Sequence, residues 1–430
     1  MRRFYTSSPE KRLELVVERS YAQEETVNSL KEGLSLDLAD QMIENAFGIY
    51  GLPYGLAFNF FVNEKEYVVP MATEEPSVIA AASGAAKTIK SAGGFKSHIH
   101  SRQMIGQVAL IDIPHADQAI QIIENQEDVL IQAAHTSYPS IVKRGGGVRS
   151  LSVEYLPATE TEQDFLVVYL SVDTQEAMGA NILNTMLEGI SPLLEEMTGG
   201  TALMGILSNY ATNSLVTTRC SVPFDLLKYK KIEGEELAQK ISAASQLAQS
   251  DVYRATTHNK GIMNGVDALV LATGNDWRAV EAGMHAYAAR DGRYCGLSRW
   301  WIEDDCLVGE MTAPLAIGTV GGSIKLHHYA QASFEILNIE SGQAEAANEL
   351  AGLIAALGLA QNFAALRALV SEGIQKGHMA LQAKSLAISV GAETDEVQAV
   401  VRQLKLAKSM NQATAQTILD QHRKNKKEEI

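Results

Sequence analysis

The chain has 430 residues and is poor in cysteine, in positive charge and in long apolar runs. Its three cysteines, Cys220, Cys295 and Cys306, are spaced like no metal-binding or redox motif, and their odd count suits free thiols in a reducing compartment. Lysine and arginine number 36 against 51 aspartate and glutamate, a net charge of −15. That excess argues against nucleic acid or an anionic membrane surface as partner, while a local basic pocket can still hold a small anion. No stretch approaches the roughly 20 apolar residues of a membrane span. The N-terminus turns polar at once, with no apolar signal core. A cytoplasmic protein away from the membrane is expected. Internal repeats, a low-complexity linker and a GxGxxG fingerprint are missing too. So is a metal set: His327-His328 are adjacent and cannot chelate one ion well, and His98 and His100 have no third ligand nearby.

What remains is an ordinary globular composition, 46% hydrophobic and 20% charged, with length for two or three domains. Apolar positions around Leu13, Val16 and Val17, and around Leu36, Leu38, Met42 and Ile43, predict helix over 9–48. A second helix is expected over 76–92, ended by Gly93-Gly94. The rhythm then changes. A strand over 107–114 is followed by a helix over 116–134, strands over 148–156 and 164–173, a helix over 174–197 and a strand over 201–211. This β-α-β-β-α-β order is the ferredoxin-like split βαβ sandwich, here inserted in a longer chain. The expected class is α+β. A large, mostly helical domain spans 1–106 and 223–376, the inserted small domain spans 107–222, and a C-terminal helical segment spans 377–430.

Two segments concentrate polar chemistry. Glu74 and Glu75 lie between a β-prone run ending at Val69 and a helix-prone run starting at Val78, where a helix N-terminus favours negative charge. A partly buried carboxylic acid there can donate a proton near neutral pH, although alone the segment is better explained as a Glu-rich cap. The second segment, Arg254 to Gly265, gathers hydrogen-bonding groups around Lys260 and leads into apolar Ala268–Ala272, then Gly274-Asn275-Asp276-Trp277-Arg278. On one helix, Lys260 and Asp276 would stand roughly 24 Å apart. They meet only if the chain turns or subunits pair. By themselves, Asp276 reads as a helix N-cap and His378 as a structural histidine.

Seven segments in register change those odds: Glu44–Gly48, Pro70–Ser77, Ala177–Asn181, His258–Gly261, Gly274–Arg278, Gly318–Gly322 and Gly377-His378-Met379. Together they resemble the soluble bacterial class of 3-hydroxy-3-methylglutaryl-coenzyme A reductase, over about residues 40–410. The resemblance implies reduction of an acyl-coenzyme A thioester to a primary alcohol by two hydride transfers, releasing coenzyme A and forming mevalonate. It implies that Lys260 meets the negative oxygen, that Asp276 holds Lys260, that Glu75 rather than Glu74 supplies a proton, and that His378 protonates the departing thiolate. Ser77, Arg254, Asn264 and Gln361 match residues that hold the hydroxymethylglutaryl portion. Met178, Gly179, Ala180 and Asn181, with Asn209, match the cofactor site, and Glu176 stands where the family usually has Asp. The resemblance also implies a homodimer with active sites at the subunit interface and a C-terminal flap over 377–430.

Cofactor choice can be carried one step further. Members that prefer NAD place an Asp late in the small domain's first helical region, and the matching position here is Tyr138. No carboxylate remains to repel a 2′-phosphate, and His135, Ser137, Lys143 and Arg144 can receive it. NADPH is expected over NADH, hence synthesis of mevalonate rather than its breakdown. The alternatives are a degradative, NAD-dependent member that oxidises mevalonate, and a coenzyme-A-thioester-binding protein of the same fold without redox activity.

Overall fold

The computed structural model describes residues 4–428 other than 323, 372, 394 and 408, and the side chains of 374–381 and 426–428 lie outside the description. Three short helices open the chain: α1 (Pro9–Glu18), α2 (Glu24–Glu32) and α3 (Leu36–Met42). They replace the expected run over 9–48. Ser20 turns left-handed after α1 (φ 55) and Gly33 ends α2 (φ 69), and each stops helical hydrogen bonding.

Strands β1 (Tyr54–Val62) and β2 (Lys65–Ala72) form a hairpin. Asn63 and Glu64 turn it with φ 47 and φ 69, the doubly left-handed loop that suits the twist of a two-residue hairpin. Helix α4 (Val78–Ser91) packs on β1, burying Val78, Ala82, Ala85, Ala86 and Ile89. Then come β3 (Lys96–Ile99) and β4 (Met104–Ile111).

The inserted unit follows the expected order. It runs through β4, α5 (Ala116–Asn125), α6 (Glu127–Ser137), α7 (Pro139–Lys143), β5 (Gly147–Leu156), β6 (Phe165–Asp173), α8 (Ala180–Thr198) and β7 (Thr201–Leu207). The sheet is antiparallel with order β5-β6-β4-β7, and its core joins Val108, Leu110, Leu166, Val168 and Leu170 to Ile123, Leu130, Leu183 and Leu187 of the helices. The expected helix over 116–134 is broken at Gln126, and the one expected from Thr174 begins only at Ala180. Strand β8 (Leu215–Pro223), inside the expected 107–222 range, pairs with β3 instead, so the βαββαβ sheet closes at Leu207.

The large region continues with α9 (Phe224–Leu227), α10 (Gly234–Ser250), α11 (Val252–Ala272) and α12 (Trp277–Ala288), then β9 (Ser298–Glu303), β10 (Cys306–Pro314), α13 (His328–Leu337) and α14 (Ala346–Val370). It is less purely helical than expected, because β9 and β10 complete a second antiparallel sheet of order β3-β8-β10-β9. Contrary to the sequence expectation, α14 is long and apolar enough to cross a membrane, with mean hydropathy 1.6; its window is 72% buried inside the protein, as in a core helix.

Residues 365–430 form a separate compact unit. It holds α15 (Ile374–Ser389), α16 (Val397–Leu404) and α17 (Gln412–Glu428), which share a core of Ala383, Ala387, Val400, Leu404, Ala415 and Leu419. Arg423 grips Glu396 through Nε and Nη2, both at 2.8 Å. Those bonds first, then the Glu393 backbone N–H, hold the Glu396 carboxyl down at about 2.

Candidate active site

Glu75 enters from the turn between β2 and α4. Ser77 holds φ 74 there, a left-handed conformation unusual outside glycine, and its hydroxyl makes no capping bond. The turn delivers the Glu75 carboxylate to α11. Lys260 Nζ donates to Glu75 Oε2 at 2.5 Å, and Asn264 Nδ2 donates to Oε1 at 3.3 Å. Lys260 and Asn264 are four residues apart and share one helix face, so one carboxylate can meet both. The Lys260 side chain is 59% exposed, which leaves its ammonium open to a ligand.

The buried side of α11 fixes where Lys260 points. Asn259 donates to Cys295 O at 2.9 Å and accepts from Leu297 N at 2.8 Å. Ser298 Oγ and Trp300 Nε1 both donate to Asn362 Oδ1 at 2.8 Å. His258 Nε2 lies 2.7 Å from Ser298 Oγ and 3.1 Å from Asn362 Nδ2, so the ring joins the same network. Burial, reinforced by the Arg254 charge, pulls His258 down to about 4 and keeps it neutral.

Two other expected acyl contacts, Arg254 of α11 and Gln361 of α14, lie away from this cluster. Arg254, His258 and Gly265 occupy a stripe roughly 120° around α11 from Lys260 and Asn264. Gln361 of α14 packs there, its Cβ 3.1 Å from where a Gly265 Cβ would stand. Arg254 Nε and Gln361 Oε1 are buried without a hydrogen-bond partner, an orphaned donor and acceptor of the kind that ligands satisfy. Asp276 stands apart from Lys260. Its Oδ1 accepts from Arg278 N at 3.0 Å and Ala279 N at 3.2 Å, capping α12, and from Arg278 Nε at 3.3 Å. Within one chain the partner of Lys260 is therefore Glu75. The His378 side chain lies outside the described residues.

Sequence reasoning passed over Asp267, which continues the Lys260–Asn264 stripe at a seven-residue spacing that was the available signal. Its Oδ1 is buried without a partner. Burial, followed by Glu281 of α12 and then Glu74, pushes its carboxyl well above the ordinary aspartate range.

The cofactor side is made of backbone. Gly179 is the N-cap of α8 with φ 105; a Cβ there would fall 2.3 Å from Thr174 Cγ2. It is the helix cap itself, one residue before the first turn, and not a position inside a helix begun at Thr174. No side chain caps α8, so the N–H groups from Ala180 and Asn181 onward, with the positive end of a 19-residue helix, suit an anion. Met178 N lies 2.5 Å from where a Gly318 Cβ would be, so the Gly318–Gly322 loop must keep glycine at its first position to pass this close. Asn209 approaches α12, its carbonyl oxygen 2.6 Å from the place of a Gly283 Cβ. Two groups expected to take a 2′-phosphate are committed to the fold. His135 Nε2 accepts from Val148 N at 2.9 Å. Ser137 Oγ donates to Ala133 O at 2.9 Å and is wedged against Gly189 of α8. Tyr138 packs on the small-domain core, while Lys143 and Arg144 stay exposed.

Comparison with known proteins bears on this geometry. Residues 8–383 match the model of the family described as hydroxymethylglutaryl-coenzyme A reductase. The 3-hydroxy-3-methylglutaryl-coenzyme A reductase of Archaeoglobus fulgidus is 44% identical over 400 residues, covering 93% of this chain and 89% of that protein. The chain belongs to the hydroxymethylglutaryl-coenzyme A reductase family. A solved family structure, the reductase of Streptococcus pneumoniae, is 53% identical, with TM-score 0.82 over 97% of this chain and 98% of that one. A further structure of the Streptococcus pneumoniae protein, described as class II and bound to NADPH in open conformations, is also 53% identical, with TM-score 0.81 over 86% of this chain and 99% of that one. The α+β architecture is thus that of a solved reductase of this family.

Proposed function

We propose that the protein reduces 3-hydroxy-3-methylglutaryl-coenzyme A to mevalonate, and the Glu75–Lys260–Asn264 cluster is the observation that carries this reading. Two NADPH molecules, bound in succession, would each supply one hydride. As the thioester carbonyl carbon gains the first, its oxygen becomes negative and meets the Lys260 ammonium, preorganised on a clamped helix. Glu75, already in contact with Lys260, stands in line to hand over the proton. Asn264 fixes the second Glu75 oxygen. The hemithioacetal then collapses: its hydroxyl proton returns to Glu75 as the carbonyl re-forms, the carbon–sulfur bond breaks, and His378 is assigned the proton for the departing thiolate. The same lysine and glutamate serve the second reduction, of aldehyde to alcohol.

For the acyl group, Arg254 and Gln361 offer the orphaned donor and acceptor, and Ser77 a free hydroxyl beside Glu75. For the cofactor, the open N-terminus of α8 suits the pyrophosphate, and Met178, Gly179, Ala180 and Asn181 form its cradle, with Asn209 beyond. Preference for NADPH is supported by Tyr138 in place of a carboxylate and by exposed Lys143 and Arg144 close to it in sequence. Ser137 and His135 drop out of that role.

We also infer a homodimer. In its own chain Asp276 caps α12 and pairs with Arg278, while Lys260 pairs with Glu75, and a second copy is the simplest source of the carboxylate that the family places there. Three free cysteines suit the reducing cytoplasm. The test is consumption of NADPH with 3-hydroxy-3-methylglutaryl-coenzyme A, repeated with NADH and, in reverse, with mevalonate and coenzyme A. Turnover with NADPH in the reductive direction is expected. A sharp NADH preference with faster mevalonate oxidation would reverse the assigned direction, and no turnover with either cofactor would leave a thioester-binding protein.

A further inference from the structure

One charged side chain behind the cofactor turn has no part in the chemistry above. The chain passes between the β3-β8-β10-β9 sheet and the β5-β6-β4-β7 sheet through the segment between β3 and β4, and Arg102 lies in it. Arg102 Nη2 donates to Gln175 O at 2.5 Å and to Ala177 O at 3.0 Å; Nη1 donates to Ile317 O at 3.2 Å. The first two carbonyls belong to the turn that leads into α8. The third immediately precedes the Gly318–Gly322 loop.

The turn has a second tie beside the first. Glu176 O accepts from Thr319 N at 2.8 Å. Its carboxylate Oε2 accepts from Thr319 Oγ1 at 3.0 Å and from Ala347 N at 2.7 Å, in the first turn of α14. Residues 177 and 320 form an isolated parallel bridge. Two left-handed residues, Gln175 (φ 53) and Gly179 (φ 105), sit within five positions. A turn that aims N–H groups outward at an anion must aim some of its carbonyls the other way, and those carbonyls need donors. A lysine holds its three donors on one atom; the planar fork of an arginine spreads its donors over separate nitrogens and here reaches three carbonyls. Sequestering a guanidinium is costly unless it is well bonded. Here Glu176, Asp173 and Glu345 add favourable charge around it.

We propose that Arg102 is a positioning residue for the dinucleotide. From behind the turn it holds Gln175 and Ala177 so that the α8 N–H groups face the pyrophosphate, and through Ile317 it fixes how that turn meets the Gly318–Gly322 loop. The proposal rests on the reading of the Gly179 turn as the pyrophosphate site.

The test uses the full chain, with NADPH binding and amide exchange read without acyl substrate and KM for the acyl substrate read in steady state. NADPH affinity is measured by fluorescence titration, and amide exchange over 175–181 is followed in ligand-free protein, for Arg102→Met, Arg102→Lys and Gly179→Val. Arg102→Met is expected to weaken NADPH about tenfold, the scale of one lost charged hydrogen bond, to speed exchange in the turn, and to leave KM for the acyl substrate within about twofold. Arg102→Lys, which keeps the charge but not the fork, is expected to fall between wild type and Arg102→Met. If Arg102→Met does not fold, Arg102→Lys decides alone, and wild-type affinity in it overturns the proposal. Wild-type affinity in both arginine variants, with loss in Gly179→Val, overturns the arginine's role and keeps the reading of the turn. Wild-type affinity in Gly179→Val removes that reading and the proposal with it. Equal weakening of cofactor and acyl substrate would mark a general scaffold residue and also overturns it.

Discussion

On the expected acyl side, Glu75, Lys260 and Asn264 bring charge and amide groups together on side chains, and the backbone beneath Lys260 and Asn264 is plain α-helix. On the cofactor side, Gly179 and Gly318 bring no side-chain chemistry at all. They bring left-handed backbone in one case and close approach in the other, held from behind by Arg102 and Glu176. The two halves should therefore fail differently. The first loses rate when a functional group is removed and the shape is kept. The second loses affinity when a methyl group is added and the chemistry is kept.

The largest effect that sharpens this contrast is expected on the acyl side. His378→Ala should lower thioester reduction by about two orders of magnitude, the usual scale of general acid catalysis. Reduction of free mevaldehyde should survive far better, since no thiolate leaves in that step. Comparing the two substrates in steady-state kinetics checks it, and equal loss on both would remove the role given to His378. On the cofactor side, Gly318→Ala places a Cβ 2.5 Å from Met178 N, where only backbone can give way. It should raise the Kd for NADPH about tenfold, on the scale of 1–3 kcal/mol for an overpacked contact, with binding of the acyl substrate nearly unchanged. If both ligands weaken alike, the two halves are not separable.

A smaller effect concerns pH. His258 falls to about 4 in the folded chain, against about 6.5 when unfolded. Its neutral form is thus required by the fold. The unfolded chain binds the extra proton between those values, so stability is full above about pH 6.5 and declines as the pH falls toward about 4. The loss is on the order of 3 kcal/mol at most. Thermal unfolding between pH 7 and 4.5 should show a steeper decline for wild type than for His258→Gln. Parallel curves would mean that His258 does not hold the Lys260 helix in the way described.

The same contrast explains how much could be read from sequence. The members of the Glu75–Lys260–Asn264 cluster were legible because they are chemically distinctive and Lys260 and Asn264 sit at helical spacing. The strand and helix order of the β5-β6-β4-β7 sheet was legible because alternating strands and amphipathic helices write it into the chain. The cofactor turn was read one helical stretch too long, because Thr174 to Gly179 has helix-compatible composition and only tertiary ties to Arg102 and residues 317–320 unwind it. A single arginine between two strands carries no periodic signal, so Arg102 was invisible. Strands β9 and β10 were missed because β10 is completed by β8, more than 80 residues earlier, and β9 is a six-residue edge strand on β10. The separation of Lys260 from Asp276 was legible as a distance problem, and the single chain answers it by giving Lys260 to Glu75 and Asp276 to the start of α12.

The most direct test of the central claim is Lys260→Ala, assayed for NADPH consumption with 3-hydroxy-3-methylglutaryl-coenzyme A alongside NADPH affinity. Removing the cation that meets the oxyanion should lower kcat by about two to three orders of magnitude and leave the Kd for NADPH unchanged. Undiminished turnover in that variant would contradict the account.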